Sequence, residues 1–505
     1  MLSYNNLRSY SQENGGRVLL LFLLFLLAIY ELVNAGFNTF AIVCLSPAII
    51  LLVYAVFRWR YAAFWLLIVV NYFIPFKLIN WHLPVSLIDE ALELVLIAVA
   101  LIDVRKTSHF GRVVNVMFAA IMIWFGLCFI EIFNDTCGLG INVGAWFTGA
   151  RLMALQLLWI LLVFTIYIDS PKVLMTYLRL WAGLSLFSAF WTWKMIHIGL
   201  EPVERTFLAN SHTHLINAGT LIRYWSTFTD AANYGCNAAA ASSAFLILGI
   251  TSKFKLDKIF FLITAIAVIW GFFQSGTRTA IICLMFGLVV YLFLSKSVRI
   301  IVPAAIAFAF FVFILVFTNI GSGNQQIRRM RSAFNKEDAS ANVRDINKTA
   351  IAKYLDDAPW GIGIGMMADN IPANNKYNRL SNIPPDSEYV FIWVRTGPIG
   401  VSVFTFCMIL MLAGASYIVL FKLKNRSLIG IGGSLCSAFA AIQLGGYANQ
   451  VIFQYPNGLI FFGGLAIVYV LPYIESDWIK YEEERLAKQE ERKRLKLEKK
   501  LASRV

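Results

Sequence analysis

Of the 505 residues, 59% are hydrophobic and only 14% charged, against about 45–50% and about 25% in soluble domains. The mean hydropathy is +0.68, and apolar residues fall in unbroken runs of about 17–25, enough helix to cross a hydrocarbon core of about 30 Å. A soluble multidomain protein is excluded, and the net charge of +14 reads as basic loops facing anionic lipid rather than as a nucleic-acid footprint.

In chain order, the first apolar run follows Arg17. It lacks a small-residue cleavage site and more runs follow, so it reads as a retained helix rather than a secretory signal. Further helices are expected to begin near Phe37, Tyr61, Val85, Val113, Phe147, Leu174, Asp230, Lys258, Thr279, Ile300, Glu388, Leu428 and Asn457. The result is an all-α polytopic membrane protein of about 12–14 transmembrane helices. Alternate connections all carry Lys or Arg: Arg58 and Arg60; Arg105, Lys106 and Arg112; Lys172; Lys253, Lys255 and Lys258; Lys296 and Arg299; Lys422, Lys424 and Arg426. Lys/Arg bias sets orientation, so these loops and both termini are expected in the cytoplasm.

Two long loops, about 200–229 and 320–386, then face the outside. The second is rich in Lys and Arg, but long loops are largely exempt from the charge rule. The domain reading is a polytopic membrane domain over 1–474 and a basic, cytoplasmic, helical tail over 475–505. Glu484–Lys488 and Glu490–Arg494 are favourable i,i+4 pairs in that tail. The seven cysteines have no metal-ligand spacing and mostly sit in apolar runs, where they act as small hydrophobes.

Ionisable residues within spans are costly and therefore informative. Asp89, Glu90, Glu93, Glu131, Arg151, Lys194, Asp230, Arg278 and Arg395 all fall toward the outer ends of their helices under this topology. The inner halves hold little beyond boundary residues such as Asp103 and Asp169. A transporter for a polar solute needs polar groups near the midplane; a site in the outer leaflet fits better. Arginines there suit a phosphate at headgroup level, because the planar guanidinium makes paired charge-assisted bonds to its oxygens. Arg223, Arg278 and Arg344 are the leading candidates.

Three outer segments carry the chemistry. The first runs Arg223-Tyr-Trp-Ser-Thr-Phe-Thr-Asp-Ala-Ala-Asn233-Tyr-Gly235, and the second is Gln274-Ser-Gly-Thr-Arg278-Thr-Ala280. The third runs from Asn342-Val-Arg344 through Pro359-Trp-Gly-Ile-Gly-Ile-Gly365 to Asp386-Ser-Glu-Tyr389 and Arg395-Thr-Gly-Pro-Ile-Gly400. Gly361, Gly363 and Gly365 lack the spacing and strand context of a nucleotide-binding turn; they read as a backbone turn after a helix over about 342–356. That helix is expected to pack through Val343, Ile346, Ala350, Ile351 and Tyr354.

In order and placement these segments resemble the O-antigen ligase and polymerase superfamily of bacterial surface-polysaccharide assembly, over roughly 223–400. The resemblance implies a GT-C-like helical fold with a partly helical periplasmic loop, in the bacterial inner membrane. It implies glycosyl transfer from a polyprenyl-pyrophosphate-linked oligosaccharide, with membrane lipids around the site and a chain-length regulator and a flippase as possible associates. Asp386, Glu388 and Arg278 are the expected catalytic residues; Arg223, Arg278, Arg344, Asn233 and Arg151 are expected to bind pyrophosphate or glycan. No metal, cofactor or nucleic acid is expected.

The chain departs from relatives in having Asp386-Ser387-Glu388 where they often have His-Asn, and Arg395 where an acidic residue is common. A carboxylate then replaces the histidine, or the role lies elsewhere, with His212 and His214 as substitutes. Asp386 or Ser387 also reads as the N-cap of the next helix. A polymerase, which joins units already on lipid carriers, is preferred. The alternatives are a ligase transferring glycan to a lipid A core or another acceptor, and a lipid-linked-oligosaccharide flippase.

Overall fold

The computed structural model describes residues 15–34, 51, 54–77, 85–102, 109–211, 215–217, 221–296, 306, 310, 313–314, 317–318, 320, 323, 325–331, 339–381 and 383–502. The spans expected from near Phe37 and Ile300 fall largely outside these residues. So do Asp103, Arg105, Lys106, His212, His214 and Arg299. The chain divides into two units, 1–63 and 64–505. In the first, α1 (Gly15–Asn34) is a helix of 20 residues with no charged side chain between Arg17 and Glu31.

Helix α2 (Arg60–Phe73) leads into the second unit, followed by α3 (Val85–Ile102), α4 (Val116–Ile130), α5 (Val143–Tyr167) and α6 (Pro171–His197). A short α7 (Pro202–Asn210) and a two-residue antiparallel hairpin, β1 (Ile216–Asn217) with β2 (Leu221–Ile222), occupy the first long loop. Then come α8 (Ala231–Thr251), α9 (Lys255–Gln274) and α10 (Arg278–Leu294). The second long loop contains α11 (Gln325–Arg331), α12 (Ala339–Leu355) and α13 (Asn378–Ser381). Helices α14 (Glu388–Tyr417), α15 (Arg426–Ala448) and α16 (Gly463–Ala502) complete the chain. Eight of the described helical segments are long and apolar enough to cross a membrane. The all-α polytopic expectation holds, with helix starts within a few residues of those read from hydropathy.

The centre of the bundle is α8 against α10 and α15, because these helices are lined by small residues. Ser437 Oγ donates to Gly287 O at 2.6 Å and to Ser243 Oγ at 3.1 Å, joining all three. A Cβ on Gly287 would come within 2.9 Å of Ser243 Oγ and 3.0 Å of Ser437 Oγ. Where lipid and side chains are equally apolar, such close approach and interhelical hydrogen bonding replace the hydrophobic effect as the glue.

Helix α14 breaks at Gly397, whose φ is 67°, followed by Pro398. Proline has no N–H for the carbonyl four residues back, which here is Val394. The glycine run fills that gap: Ile362 N donates to Val394 O at 2.9 Å, and Gly363 N to Arg395 O at 3.0 Å. Glycine is required on both sides of this contact. A Cβ on Gly361 would sit 2.6 Å from the Gly397 nitrogen, and one on Gly397 would sit 2.0 Å from Pro359 O. The run is therefore a packing device, as its spacing suggests, and it ties the second long loop to the helical bundle.

The loop has its own core: Ile351, Leu355, Ala358, Ile362, Tyr377 and Leu380 pack with Cys137, Ala145 and Val394. The packing face of α12 differs from the one expected. Ile351 is buried and Tyr354 packs against the core, but Val343 and Ile346 are exposed. The first half of α12 instead turns Arg344 and Asn347 inward, because polar partners await them there.

Chain direction places the starts of α8, α10 and α14 at the same end as the finishes of α9 and α15. Lys253, Lys255, Lys258, Lys422, Lys424 and Arg426 lie at the opposite end. There α16 runs unbroken past residue 475 and docks: Arg179 and Arg485 both pair with Asp257, and Lys253 pairs with Glu482. Glu475 accepts from the backbone N–H groups of Lys424 and Asn425. The near part of the expected solvated tail is thus held by the bundle.

Candidate functional site

At the loop-covered end lies a cavity of about 820 Å³. Its floor is made by the first turns of α8 and α10. Ala231, Ala232, Thr277, Arg278 and Thr279 line it. The Asp230 carboxylate caps the start of α8, accepting from Ala232 N at 2.6 Å and Asn233 N at 2.9 Å, whereas the start of α10 has no side-chain cap, so its positive dipole end faces the space. Four guanidiniums surround it: Arg223, Arg278, Arg329 and Arg344. The carboxylates of Asp230 and Asp386 also line it.

Each arginine is positioned by a different element. The β-hairpin delivers Arg223, whose own N–H donates to Leu215 O at 2.8 Å; its side chain donates to Ser275 O at 3.3 Å and Thr277 Oγ1 at 3.2 Å. The tight turn at Gly276, with φ of 59°, separates α9 from α10 and sets Arg278 at the start of α10. Helix α11 brings in Arg329, whose Nε donates to Gly276 O at 2.6 Å. Helix α12 brings in Arg344, which donates to Asn449 Oδ1 at 3.4 Å.

Electrostatics follow from this crowding. Burial, opposed by Asp230 and reinforced by Arg278 and Arg344, holds the Arg223 guanidinium below its ordinary range. Burial first, then the neighbouring Arg223 and Arg278, push Arg329 down to about 10. Both remain protonated at neutral pH, so the cavity holds mutually repelling cations that a multivalent anion would relieve.

Asp386 has φ of 54°, an uncommon left-handed conformation for a non-glycine residue. It follows Pro384-Pro385, and its Oδ2 accepts from Asn347 Nδ2 at 2.7 Å. Of the two N-cap candidates Ser387 takes the position at the start of α14, although its side chain makes no cap bond and donates instead to Gly446 O at 3.1 Å. Asp386 faces the cavity, held by α12 in a strained backbone, the kind of outlier that clusters at functional sites.

Three other expected site residues do not line the cavity. Glu388 is 4% exposed and accepts from Ile452 N at 2.9 Å, anchoring the segment after α15. Asn233 is fully buried; it donates to Thr229 Oγ1 at 2.8 Å and Tyr455 O at 2.9 Å, and accepts from Asn457 at 2.7 Å. Arg151 pairs with Glu90 at 3.1 Å in a one-turn π-bulge of α5. Arg395 is buried over the Phe391 ring and is not among the lining residues. Among the described residues, no group of three His, Cys, Asp or Glu side chains is placed to hold a metal ion.

The sequence reading did not single out Arg329, Asn347, Asn449 or Gln454. One signal for Arg329 was available: Arg328-Arg329-Met-Arg331 is a basic run within the second long loop.

Fold and site together define a polytopic membrane protein with an arginine-walled cavity under a folded loop at one end of its bundle. Residues 238–405 match the family model described as O-antigen ligase, which supports the resemblance to the O-antigen ligase and polymerase superfamily. The matched stretch contains Arg278, Arg329, Arg344 and Asp386, while Arg223 and the segment after α15 lie outside it. No curated protein matches the chain.

Proposed function

We propose that the cavity binds the pyrophosphate of a polyprenyl-linked glycan and transfers the glycan to an acceptor hydroxyl, most simply the terminal sugar of a second lipid-linked unit, as a polymerase. The observation that carries this reading is the convergence of four guanidiniums on one cavity that Asp386 also lines, in a left-handed backbone. The acceptor oxygen attacks the anomeric carbon, the bond from that carbon to the phosphate oxygen breaks, and the electron pair leaves on the pyrophosphate. Arg223, Arg278, Arg329 and Arg344 stabilise that developing charge, pre-organised in a partly desolvated site. Asp386, oriented by Asn347, takes the acceptor proton.

The guanidiniums supply the positive charge that a divalent cation provides elsewhere, so turnover proceeds without a metal. From the charge bias of the loops we read the arginine-lined end as facing outward, and the Lys-rich end, with both termini, as facing the cytoplasm at the bacterial inner membrane. On this reading residues 1–474 are the membrane domain and 475–505 a cytoplasmic tail.

Reconstitution with purified lipid-linked repeat units, with and without a lipid A core acceptor, tests the proposal. Longer glycans on the carrier establish a polymerase, and transfer to the core establishes a ligase. Movement of the intact substrate between leaflets with neither product refutes the transferase reading.

A further inference from the structure

The four arginines occupy only part of the cavity wall. The segment joining α15 to α16 supplies another part, and its chemistry is different: Asn449, Gln450 and Gln454 line the space with neutral carboxamides. A volume of about 820 Å³ is within the range that encloses a drug-sized ligand, far more than a diphosphate alone fills. Carboxamides present donors and acceptors together, a match for hydroxyl groups and a poorer one than a guanidinium for a dianion.

The segment is built to hold those side chains still. Behind it, Glu388 accepts from Ile452 N, Asn457 donates to Val451 O at 2.6 Å, and Asn233 donates to Tyr455 O. Val451 and Ile452 are buried, so the chain is fixed from its rear face while 450 and 454 face the cavity. Asn449 lies at the junction of the two chemistries, accepting from Arg344 and donating to Thr279 Oγ1 at 3.4 Å. Gln454 accepts from Thr229 at 2.5 Å, which leaves its amide nitrogen for a ligand.

We infer that residues 449–454 form a sugar-recognition wall, with Gln450 and Gln454 taking hydroxyl groups of the sugar next to the pyrophosphate, Asn449 marking the boundary. This rests on the cavity being a lipid-pyrophosphate site. It assigns selectivity to a segment outside the matched family region, and makes Glu388, Asn233 and Asn457 positioning residues for it.

The test uses the purified full-length protein and two probes: bare polyprenyl pyrophosphate, and the lipid-linked glycan extracted from membranes of the source cells. Gln450→Ala should weaken binding of the glycan-bearing probe about 3–10-fold, the worth of one net hydrogen bond, and leave the bare carrier unchanged. Equal weakening of both probes, or of neither, overturns the inference. Bare-carrier binding also reports that the variant is folded. Arg278→Ala should weaken both probes; if it weakens neither, the pyrophosphate reading itself falls, a result distinct from the Gln450 outcome.

Discussion

Replacing Asp386 with asparagine isolates its charge from everything else it does. Asparagine is nearly isosteric and, like aspartate, tolerates the left-handed backbone, here φ of 54°. Its carbonyl oxygen can still accept from Asn347, whose bond to Asp386 Oδ2 is 2.7 Å. Stability should therefore change little. The transfer rate should fall about 10²–10⁴-fold, the usual contribution of a general base, or about 2.7–5.4 kcal/mol of activation free energy at 1.36 kcal/mol per decade. Asp386→Ala adds a separate loss, because alanine in the left-handed region costs about 1–2 kcal/mol and Asn347 loses its acceptor. Single-turnover transfer of radiolabelled glycan in proteoliposomes, beside thermal melts in detergent, separates the two. An Asp386→Asn protein that transfers at the wild-type rate would show that the proton goes elsewhere.

Arg329→Ala should weaken bare-carrier binding about 10-fold or more, as expected for a charge-assisted contact; unchanged binding would make Arg329 only a clasp on Gly276. EDTA should leave transfer unaffected, and loss of activity restored by Mg²⁺ or Mn²⁺ would overturn the metal-free mechanism. Gly397→Ala should destabilise the protein by several kcal/mol, since its Cβ would sit 2.0 Å from Pro359 O at a positive φ; a melt within a degree of wild type would refute the account of the helix break.

Hydropathy and charge made the bundle legible because the bilayer imposes both: spans need apolar length, and loop charge sorts by side. The convergence of Arg223, Arg278, Arg344 and Asp386 in one cavity was legible for a related reason. Guanidiniums and carboxylates at the ends of apolar spans are expensive enough to need a purpose. The same reasoning did not set apart Glu388, Asn233 and Arg151, which do not line the cavity, because polar residues in a membrane serve two purposes that look alike in sequence. Asn233 and Glu388 satisfy backbone groups of the segment after α15, whose irregular chain would otherwise leave buried N–H and C=O groups unpaired. Glu388 and Asn233 and the proposed sugar wall are thus two sides of one element: the polar side chains behind 449–454 hold an irregular chain against the cavity, where Asn449, Gln450 and Gln454 line the space.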